Sequence, residues 1–300
     1  MRVFVTGATG WVGSAVVKEL IAAGHRVLGL CRSQEKAAAL AETGAEVRRG
    51  TLQDLEGLKD ATARCDGVVH LAFDHDFSRF AESGADEQRA IEAIGAVLEG
   101  SSRPLIVTSG VALLAPGKLA TERTPPHLAA ESFPRNPEAV IAALTALGVH
   151  ATAVRLPPSV HGHGDHGFVP RLIGLARETG VSTCIGDGRN RWPAVHRLDA
   201  ARVFRLALER GAQGGPFHAV AEEGVSFKAI AEVIGRRLNV PVVSQSLQEA
   251  AEHFGRFAWF ARFAALDCPA SSERTRSVLG WEPGQPGLLA DIDHPAYFTL

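Results

Sequence analysis

Three glycines near the amino terminus have the spacing of a phosphate-binding turn. They lie in the segment Thr6-Gly7-Ala8-Thr9-Gly10-Trp11-Val12-Gly13, between a short apolar run and a helical pattern. Gly7 allows a tight turn, Gly10 lets the backbone approach a pyrophosphate, and Gly13 allows close packing of the helix. The N–H groups and partial positive charge at the start of a helix attract phosphate oxygens. The segment therefore predicts a dinucleotide site, and the alternative is a purely structural strand-to-helix turn.

The end of the second predicted strand indicates which dinucleotide would bind. Sites selective for NAD carry an acidic residue about 20 residues beyond the glycines, where it bonds the ribose 2′-hydroxyl. Here the segment Gly29-Leu30-Cys31-Arg32-Ser33 contains no acid. Arg32 can pair with a 2′-phosphate and Ser33 can hydrogen-bond to it, so the sequence favours NADP(H) as the cofactor. The alternative is that Arg32 is only a solvated residue at the end of a strand.

Short apolar strands alternate with helical segments and place these residues on a parallel sheet. Strands are predicted at 3–5, 26–30, 45–47, 67–71, 104–108 and 151–156, and helices at 11–23, 35–41, 77–98 and 138–147. The expected fold class is α/β, a Rossmann-type doubly wound parallel sheet with a smaller, interleaved C-terminal substrate region. Residues 1–160 form the predicted NADP-binding domain, to which 194–220 return, and 161–193 with 221–300 form the substrate-binding region.

The composition excludes several classes of protein. The 300 residues are 46% hydrophobic and 21% charged with a net charge of −2, which excludes a disordered chain and predicts no nucleic-acid or anionic-membrane partner. No apolar run reaches the ~18–20 residues that cross a membrane, and no secretory signal is visible. The four cysteines show no CxxC pattern, so reduced thiols and a cytoplasmic protein are expected.

Further motifs follow one another along nearly the whole chain. They are Leu52-x-Asp54, His70-Leu71-Ala72, Thr108-Ser109, the segment Arg155 to Asp165, the segment Ala194 to Ala201, and Leu279-Gly280-Trp281-x-Pro283. Together with the glycine turn they resemble the short-chain dehydrogenase/reductase superfamily, in its extended and atypical branch of NAD-dependent epimerase/dehydratase proteins. The resemblance implies that Leu52 flanks the adenine and that Leu71, Ala72 and Phe73 line the ribose and pyrophosphate. The expected cofactor-binding residues are Thr6, Gly7, Thr9, Gly10, Trp11, Val12, Gly13, Arg32, Ser33, Leu52, Leu71, Ala72, Phe73 and Thr108.

The catalytic residues of that family are only partly present. In the family a Tyr is general acid/base, a Lys four residues later lowers its pKa, and a Ser steadies the substrate oxygen. Ser109 matches the serine, and Asp86 stands where the family has an Asn. The Tyr and Lys positions fall on Phe133 and Pro137 in one register, or on Glu131 and Arg135 in the other. Tyr297, the one tyrosine of the chain, lies outside every cofactor motif.

Another group must then supply the proton, unless water or the substrate supplies it. Candidates near the expected nicotinamide are His161, His163, His166, Asp165 and Asp74. Histidine is the natural substitute near neutral pH, so Ser109, His161 and Asp86 are assigned to catalysis. Phe133, His163 and Trp192 are expected on the substrate side. The segment from His161 to His166 also invites a zinc interpretation. A histidine-rich glycine loop beside the substrate pocket is simpler, and no metal is expected.

These observations predict an NADP(H)-dependent oxidoreductase acting on a small carbonyl or alcohol by hydride transfer, with Ser109 orienting the substrate oxygen. Two alternatives stay open: a catalytically silent NADP(H)-binding sensor or regulator, and a sugar-type epimerase/dehydratase. The expected partner is a small-molecule substrate. Many members of the family dimerise through helices that correspond to 77–98 and 138–147, so the resemblance also implies a homodimer.

Overall fold

Seven parallel strands form the central sheet of the computed structural model, which describes residues 1–127, 134–255 and 258–299. The strands are β1 (Arg2–Thr6), β2 (Arg26–Cys31), β3 (Glu46–Arg49), β4 (Gly67–His70), β5 (Leu105–Gly110), β6 (Ala151–Leu156) and β10 (Phe217–His218). Their spatial order is β10-β6-β5-β4-β1-β2-β3. The chain therefore runs outward from β1 to one edge and returns to the centre at β4, which is the doubly wound arrangement.

Helices cover both faces of this sheet. One face carries α1 (Trp11–Ala22), α2 (Gln34–Glu42) and α7 (Arg197–Glu209), and the other carries α3 (Leu55–Ala63), α4 (Phe80–Leu98) and α5 (Pro137–Ala146). Val3, Phe4 and Val5 are each 0% exposed; the two valines belong to one core and Phe4 to the other. Because successive side chains of a strand point to opposite faces, a sheet covered on both faces requires these unbroken apolar runs.

The C-terminal half adds two small sheets and its own core. Strands β7 (Ser159–His161), β9 (Arg191–His196) and β11 (Glu222–Ser226) form one sheet, and β8 (Ser182–Ile185) with β12 (Val242–Gln245) form the other. The remaining helices are α6 (Phe168–Thr179), α8 (Phe227–Leu238), α9 (Leu247–Phe254), α10 (Ala258–Ala264), α11 (Glu273–Leu279) and α12 (Leu288–Ile292), with 3₁₀ helices at Phe77–Arg79 and Pro295–Phe298. Trp192 and Phe260 lie in the core that these elements share.

The predicted fold class is confirmed, and the predicted strands and helices of the first half lie within a few residues of the observed ones. The sequence pattern missed α3, which begins where the Asp54 carboxylate accepts the N–H of Gly57 at 3.0 Å. Strand β10 extends the main sheet beside β6, and α7 packs on α1 on one face of that sheet. Residues 197–218 therefore contribute to the main sheet and to the helices that cover it. The division of the chain into two domains stays a prediction.

The outer faces of α4 and α5 line a groove of about 630 Å³. A homodimer through these two helices stays a prediction.

Within the described residues, no helix is long and apolar enough to cross a membrane. The same ranges contain no group of three or more His, Cys, Asp or Glu side chains placed to hold a metal ion. The four cysteines, Cys31, Cys65, Cys184 and Cys268, are buried free thiols.

Candidate functional site

The carboxyl ends of β1 and β4, neighbouring strands near the middle of the sheet, mark the point where the strand order reverses, and we call the region above them the crevice. The chain leaves β1 toward β2 and leaves β4 toward β5 on the opposite side, and ligands of open α/β sheets bind at such a point. We name its two sides by the residues that form them. The adenosine half comprises residues 6–13, 32–36 and 49–52, and the reaction half comprises residues 70–73, 108–110 and 135–138 with Arg155 beneath them.

The glycine turn of the adenosine half leaves no room for side chains. Gly7 has a φ of +66°, and a Cβ there would lie 2.8 Å from the backbone nitrogen of Ala72. A Cβ on Gly13 would lie 2.0 Å from the carbonyl oxygen of Gly7. Gly10 is exposed, and no side chain caps the helix that it begins. Thr9 and Val12 lie beside the turn, each partly buried. The first N–H groups of α1 therefore lack a side-chain acceptor, which fits a bound pyrophosphate.

Thr6 joins β1 to β4 at the floor of the crevice. Its hydroxyl accepts the N–H groups of Leu71 and Ala72, each at 3.2 Å, and lies 3.0 Å from Nδ1 of His70. With both lone pairs engaged, the hydroxyl donates to Nδ1, so the imidazole carries its proton on Nε2. Burial lowers the pKa of His70 to about 3, in keeping with this neutral form. Thr6 is fully buried and holds the two loops at a fixed spacing.

Trp11 connects the glycine turn to the C-terminal half. Its Nε1–H donates to the carbonyl oxygen of Val160 at 2.7 Å. The Arg197 guanidinium lies 4.2 Å from the centroid of an indole ring, and the His166 ring meets the indole edge-on at 5.5 Å. A guanidinium over an aromatic face is a favourable cation–π contact. These contacts place a fixed positive charge close to the start of α1, where a phosphate would bind.

The outer end of the adenosine half is cationic. Arg32 is exposed at the end of β2, and its carbonyl oxygen accepts Nη2 of Arg49 at 3.0 Å. The Ser33 hydroxyl accepts the N–H of Lys36 at 3.1 Å and so caps α2. Leu52 is half-buried against the core below this end. Arg49 and Lys36 therefore add to the positive charge that the sequence assigned to Arg32 alone.

Ser109 lies partly exposed at the carboxyl end of β5, in the reaction half. Its Oγ donates to Oε1 of Glu138 at 2.7 Å. Glu138, in the first turn of α5, accepts two hydrogen bonds from Arg155 of β6, at 2.8 and 2.7 Å. Arg155 is 1% exposed, and this two-point geometry is that of a buried ion pair. The serine hydroxyl is therefore bonded to the carboxylate of a buried ion pair.

Arg135 brings a second charge to the reaction half. Its guanidinium donates to both carboxylate oxygens of Glu87, at 2.7 and 2.6 Å, and to the Thr108 carbonyl oxygen at 3.1 Å. It also lies 4.6 Å from the ring centroid of Phe73. Burial raises the pKa of Glu87, and the paired guanidinium opposes that shift. Arg135 is the residue that one of the two sequence registers placed at the lysine position, and it contacts two expected cofactor-lining residues.

The side-chain contacts of Asp86 lie outside the reaction half. Its carboxylate accepts hydrogen bonds from Gln53 and Arg89. The next residue, Glu87, is buried and pairs with Arg135. Successive residues on a helix are rotated by about 100°, so the two neighbours face different surroundings. The structure therefore brings Glu87, rather than Asp86, to the position where a catalytic role was expected.

His161 is fully buried, which contradicts its assignment as a group that contacts substrate. Its Nδ1 lies 2.8 Å from Oδ2 of Asp291, and its Nε2 has no hydrogen-bond partner among the described residues. The Tyr297 hydroxyl lies 2.9 Å from the same carboxylate oxygen and accepts the N–H of Gly162 at 2.9 Å. These contacts fasten the C-terminal segment beneath the histidine-rich loop.

The rest of that loop is more open. His163 and His166 are exposed, whereas Asp165 is buried and accepts the N–H of Gly167 at 2.7 Å. Burial raises the pKa of Asp165 to about 6. The Asp74 carboxylate accepts the N–H of Asp76 at 3.3 Å, a contact within its own turn.

Trp192 packs inside the C-terminal core. It is 0% exposed and lies edge-on to Phe168 and Phe227, with ring centroids 5.9 and 5.1 Å away. Its expected place on the substrate side is therefore wrong for direct contact, because no part of the ring is accessible. Phe133, the other aromatic residue expected there, lies outside the described residues.

Comparison with known proteins shows the family. A model of the NAD(P)H-binding family matches residues 7–165. The chain belongs to this family. It is 50% identical to an uncharacterized protein of Schizosaccharomyces pombe over 99% of this chain and 100% of that protein. It is 28% identical to a 4-hydroxy-2-methyl-3-oxo-4-farnesyl-3,4-dihydroquinoline-1-oxide ketoreductase of Stigmatella aurantiaca, over 90% of this chain and 84% of the relative.

The solved structures agree on the fold. The UDP-N-acetylglucosamine 4-epimerase of Bacillus cereus aligns with a TM-score of 0.75 at 14% identity, over 100% of this chain and 96% of that one. This likeness shows the fold, and the family model shows that the chain belongs to an NAD(P)H-binding family.

Glu138, Arg155, Glu87 and Tyr297 were not assigned to the site from the sequence. One signal pointed to the first two. Arg155 interrupts the apolar run Ala151–Leu156, and an arginine in a strand covered on both faces requires a buried acceptor. The sequence indicates that such an acceptor exists, but not which residue supplies it.

Proposed function

We propose that this protein is an NADP(H)-dependent oxidoreductase that acts on a small carbonyl or alcohol. The observation that carries the proposal is Ser109, whose hydroxyl lies at the carboxyl end of β5 in the same crevice as the glycine turn. A bound nicotinamide cofactor would supply hydride transfer. Gly7, Gly10 and Gly13 would admit its pyrophosphate to the start of α1, and Ser109 would orient the substrate oxygen. The name of the Stigmatella relative, a ketoreductase, supports a reaction at a carbonyl carbon.

NADP(H) is preferred to NAD(H) because the outer end of the adenosine half carries three cations. Arg32 is exposed, Arg49 is held against its carbonyl group, and Lys36 follows in the first turn of α2. A guanidinium recognises a phosphate through two parallel hydrogen bonds, whereas the adenosine of NAD(H) offers only a hydroxyl there.

The cofactor preference is tested with Arg32→Ala. Loss of a charge-assisted contact is worth about 1.5–3 kcal/mol, so the Kd for NADPH should rise roughly 10- to 100-fold while that for NADH changes little. Titration calorimetry gives both values. Arg26→Ala is the matched control, because Arg26 is exposed at the opposite end of β2 and pairs with Glu46. An NADPH-to-NADH preference that Arg32→Ala leaves unchanged would refute this role.

Turnover is tested by following NADPH absorbance with benzaldehyde, diacetyl, ethyl acetoacetate and phenanthrenequinone, and NADP⁺ reduction with the corresponding alcohols. Removing a group that orients the reacting oxygen costs about 100-fold or more, so Ser109→Ala should lower kcat/KM by that factor at unchanged NADPH affinity. Ser244→Ala is the control. Ser244 is exposed on β12, so this variant should keep full activity. A Ser109→Ala variant as active as the wild type would contradict the proposal.

A catalytically silent regulator is the second candidate. It is favoured by the pairing in the reaction half, where Glu87 bonds Arg135, Glu138 bonds Arg155, and the Ser109 hydroxyl is already engaged by the Glu138 carboxylate. Tight NADPH binding without turnover of any compound in the panel, together with a protein partner whose binding depends on the redox state of the cofactor, would select this function over the first.

A further inference from the structure

The Ser109 hydroxyl is polarised in one direction. Its proton points to Oε1 of Glu138 at 2.7 Å, and no other hydrogen bond to Ser109 Oγ is formed within the described residues. The lone pairs of Oγ are therefore open on the crevice side. A hydroxyl in this state accepts a hydrogen bond from a ligand rather than donating one, because its own proton is already held by a carboxylate.

Glu138 is held so that this direction is fixed. Oε1 accepts Nε of Arg155 at 2.8 Å as well as the Ser109 hydroxyl, and Oε2 accepts Nη2 of Arg155 at 2.7 Å. Arg155 itself is anchored further back, where Nη1 donates to the Thr124 carbonyl oxygen at 3.0 Å and lies 3.2 Å from Nε2 of His218. Burial lowers the pKa of His218 to about 4, so its neutral ring can accept from that guanidinium.

We infer that Glu138 is the proton acceptor for alcohol oxidation and that it acts through Ser109, with Arg155 as the residue that positions the carboxylate. The inference deepens the proposed function and rests on it, since hydride transfer needs the nicotinamide cofactor. The carboxylate form of this site receives an alcohol, because an alcohol has a hydroxyl proton to give to Oγ, and carbonyl reduction would follow the same path in reverse from the protonated form.

The step balances in atoms and electrons. The substrate O–H bond breaks and its proton moves to Oγ of Ser109, while the original Ser109 proton moves to Oε1 of Glu138. The hydrogen on the carbinol carbon leaves with its electron pair as hydride, so the alcohol is oxidised to a carbonyl and NADP⁺ is reduced to NADPH. Glu138 then returns its proton to solvent by the same hydroxyl. A positioned general base contributes about 10²–10⁴ in rate.

The test compares Glu138→Gln with Glu122→Gln. Glu122 is a matched control because its side chain is also buried and accepts a hydrogen bond from a hydroxyl, that of Thr275, at 2.7 Å. It forms no bond to Ser109. Glu138→Gln should lower kcat for oxidation of the best alcohol in the panel by 100-fold or more, while KM rises only about 5-fold because one hydrogen bond to the alcohol is weakened. Glu122→Gln should keep kcat within about 3-fold, apart from any loss of folded protein, which circular dichroism measures.

Two further readouts separate proton transfer from a structural role. Glu138→Ala should regain at least 10-fold of its lost rate in added formate, because the small carboxylate can occupy the space beside Arg155. Trifluoroethanol, an alcohol that does not turn over, should bind the wild-type NADP⁺ complex, as detected by ¹⁹F NMR, and its Kd should rise at least 5-fold in Glu138→Gln and stay unchanged in Glu122→Gln.

The outcomes distinguish this inference from the proposed function. Wild-type turnover with a Glu138→Gln variant of equal kcat overturns the role of Glu138 and leaves the oxidoreductase standing. A wild type that converts nothing in the panel removes the proposed function. In that case trifluoroethanol binding still tests the role of Glu138. If the wild type does not bind trifluoroethanol, or if Glu138→Gln binds it equally well, the inferred direction of the Ser109 hydrogen bond is wrong.

Discussion

The two halves of the crevice are built from different parts of the chain. The adenosine half is made of backbone, where Gly7 and Gly13 approach main-chain atoms so closely that a Cβ could not fit. The reaction half is made of side-chain pairs, Glu138 with Arg155 and Glu87 with Arg135, around the Ser109 hydroxyl. Backbone contacts of this kind admit only glycine, whereas charged pairs can be exchanged on unchanged strands and helices. One crevice therefore has a side that resembles its family closely and a side that departs from it.

The largest effect is expected from Gly13→Ala in the adenosine half. The added Cβ would lie 2.0 Å from the Gly7 carbonyl oxygen, and both atoms belong to backbone that cannot move independently. We expect loss of NADPH binding and a fall in stability at or above the ~1–3 kcal/mol typical of overpacking, measured by calorimetry and denaturant unfolding.

Gly174→Ala is the matched control for this substitution. Gly174 lies within α6 and a Cβ there meets nothing within 4 Å, so the change should be neutral or stabilise by up to ~1 kcal/mol. Normal NADPH affinity in Gly13→Ala would mean that the adenosine half is not fixed by backbone contact.

In the reaction half, the largest effect on stability is expected from Arg135→Met. The change leaves Glu87, which is 2% exposed, without its partner. Breaking a buried ion pair from one side costs about 3–5 kcal/mol, to be measured by denaturant unfolding.

The double variant Glu87→Leu/Arg135→Met tests whether the pair can be exchanged as a unit. It should recover most of the stability lost in Arg135→Met, because an apolar pair replaces an ionic one at little cost. A double variant less stable than Arg135→Met would show that this pair, like the glycines, admits no replacement.

Acid stability should set the reaction half apart further, because both buried histidines near the crevice are on that side: His70 lies within it, and His218 contacts its Arg155. The folded pKa of His218, about 4, lies below the 6.5 of an unperturbed histidine. The unfolded chain therefore binds the proton first, and the stability present above pH 6.5 is lost as the pH falls toward 4. The slope is at most about 1.4 kcal/mol per pH unit for this one group.

His218→Asn should flatten the dependence of the unfolding free energy on pH between 6.5 and 4.5, and should leave the contribution of His70 unchanged. Urea unfolding at several pH values measures this dependence. The pKa of His70, about 3, predicts the same sign from the floor of the crevice. Parallel curves for the wild type and His218→Asn would contradict the assignment.

The smallest effect is expected from Tyr297→Phe, outside both halves. The hydroxyl that is lost serves the Gly162 N–H and the Asp291 carboxylate, and an unsatisfied buried group costs about 1–3 kcal/mol. Unfolding should register this loss while NADPH affinity stays close to that of the wild type. Thr299→Val, an exposed hydroxyl in the same segment, should change stability by less than ~0.5 kcal/mol. A large loss of NADPH affinity in Tyr297→Phe would place the segment within the cofactor site.

The sequence predicted the sheet and the glycine turn well because both depend on local patterns. Val3-Phe4-Val5 and the three glycines carry their meaning within a few residues, through periodicity and backbone freedom. The same reasoning failed for His161 and Trp192, which are buried. A residue type shows what chemistry a side chain can do, but its exposure depends on what packs over it. The sequence reasoning also expected Asp86 at a position that the structure gives to Glu87. A shift of one residue along a helix rotates the side chain by about 100° around the helix axis.

Local patterns in the chain are enough to predict a Rossmann-type sheet, a glycine turn for a dinucleotide and a serine at the end of β5. The groups that surround that serine depend instead on the packing of distant elements. Glu138 meets Ser109 because α5 packs across β5, and Tyr297 lies beneath the histidine-rich loop because the last helices fold back under β7. Such contacts depend on how separate elements pack against one another, which no short stretch of residues encodes.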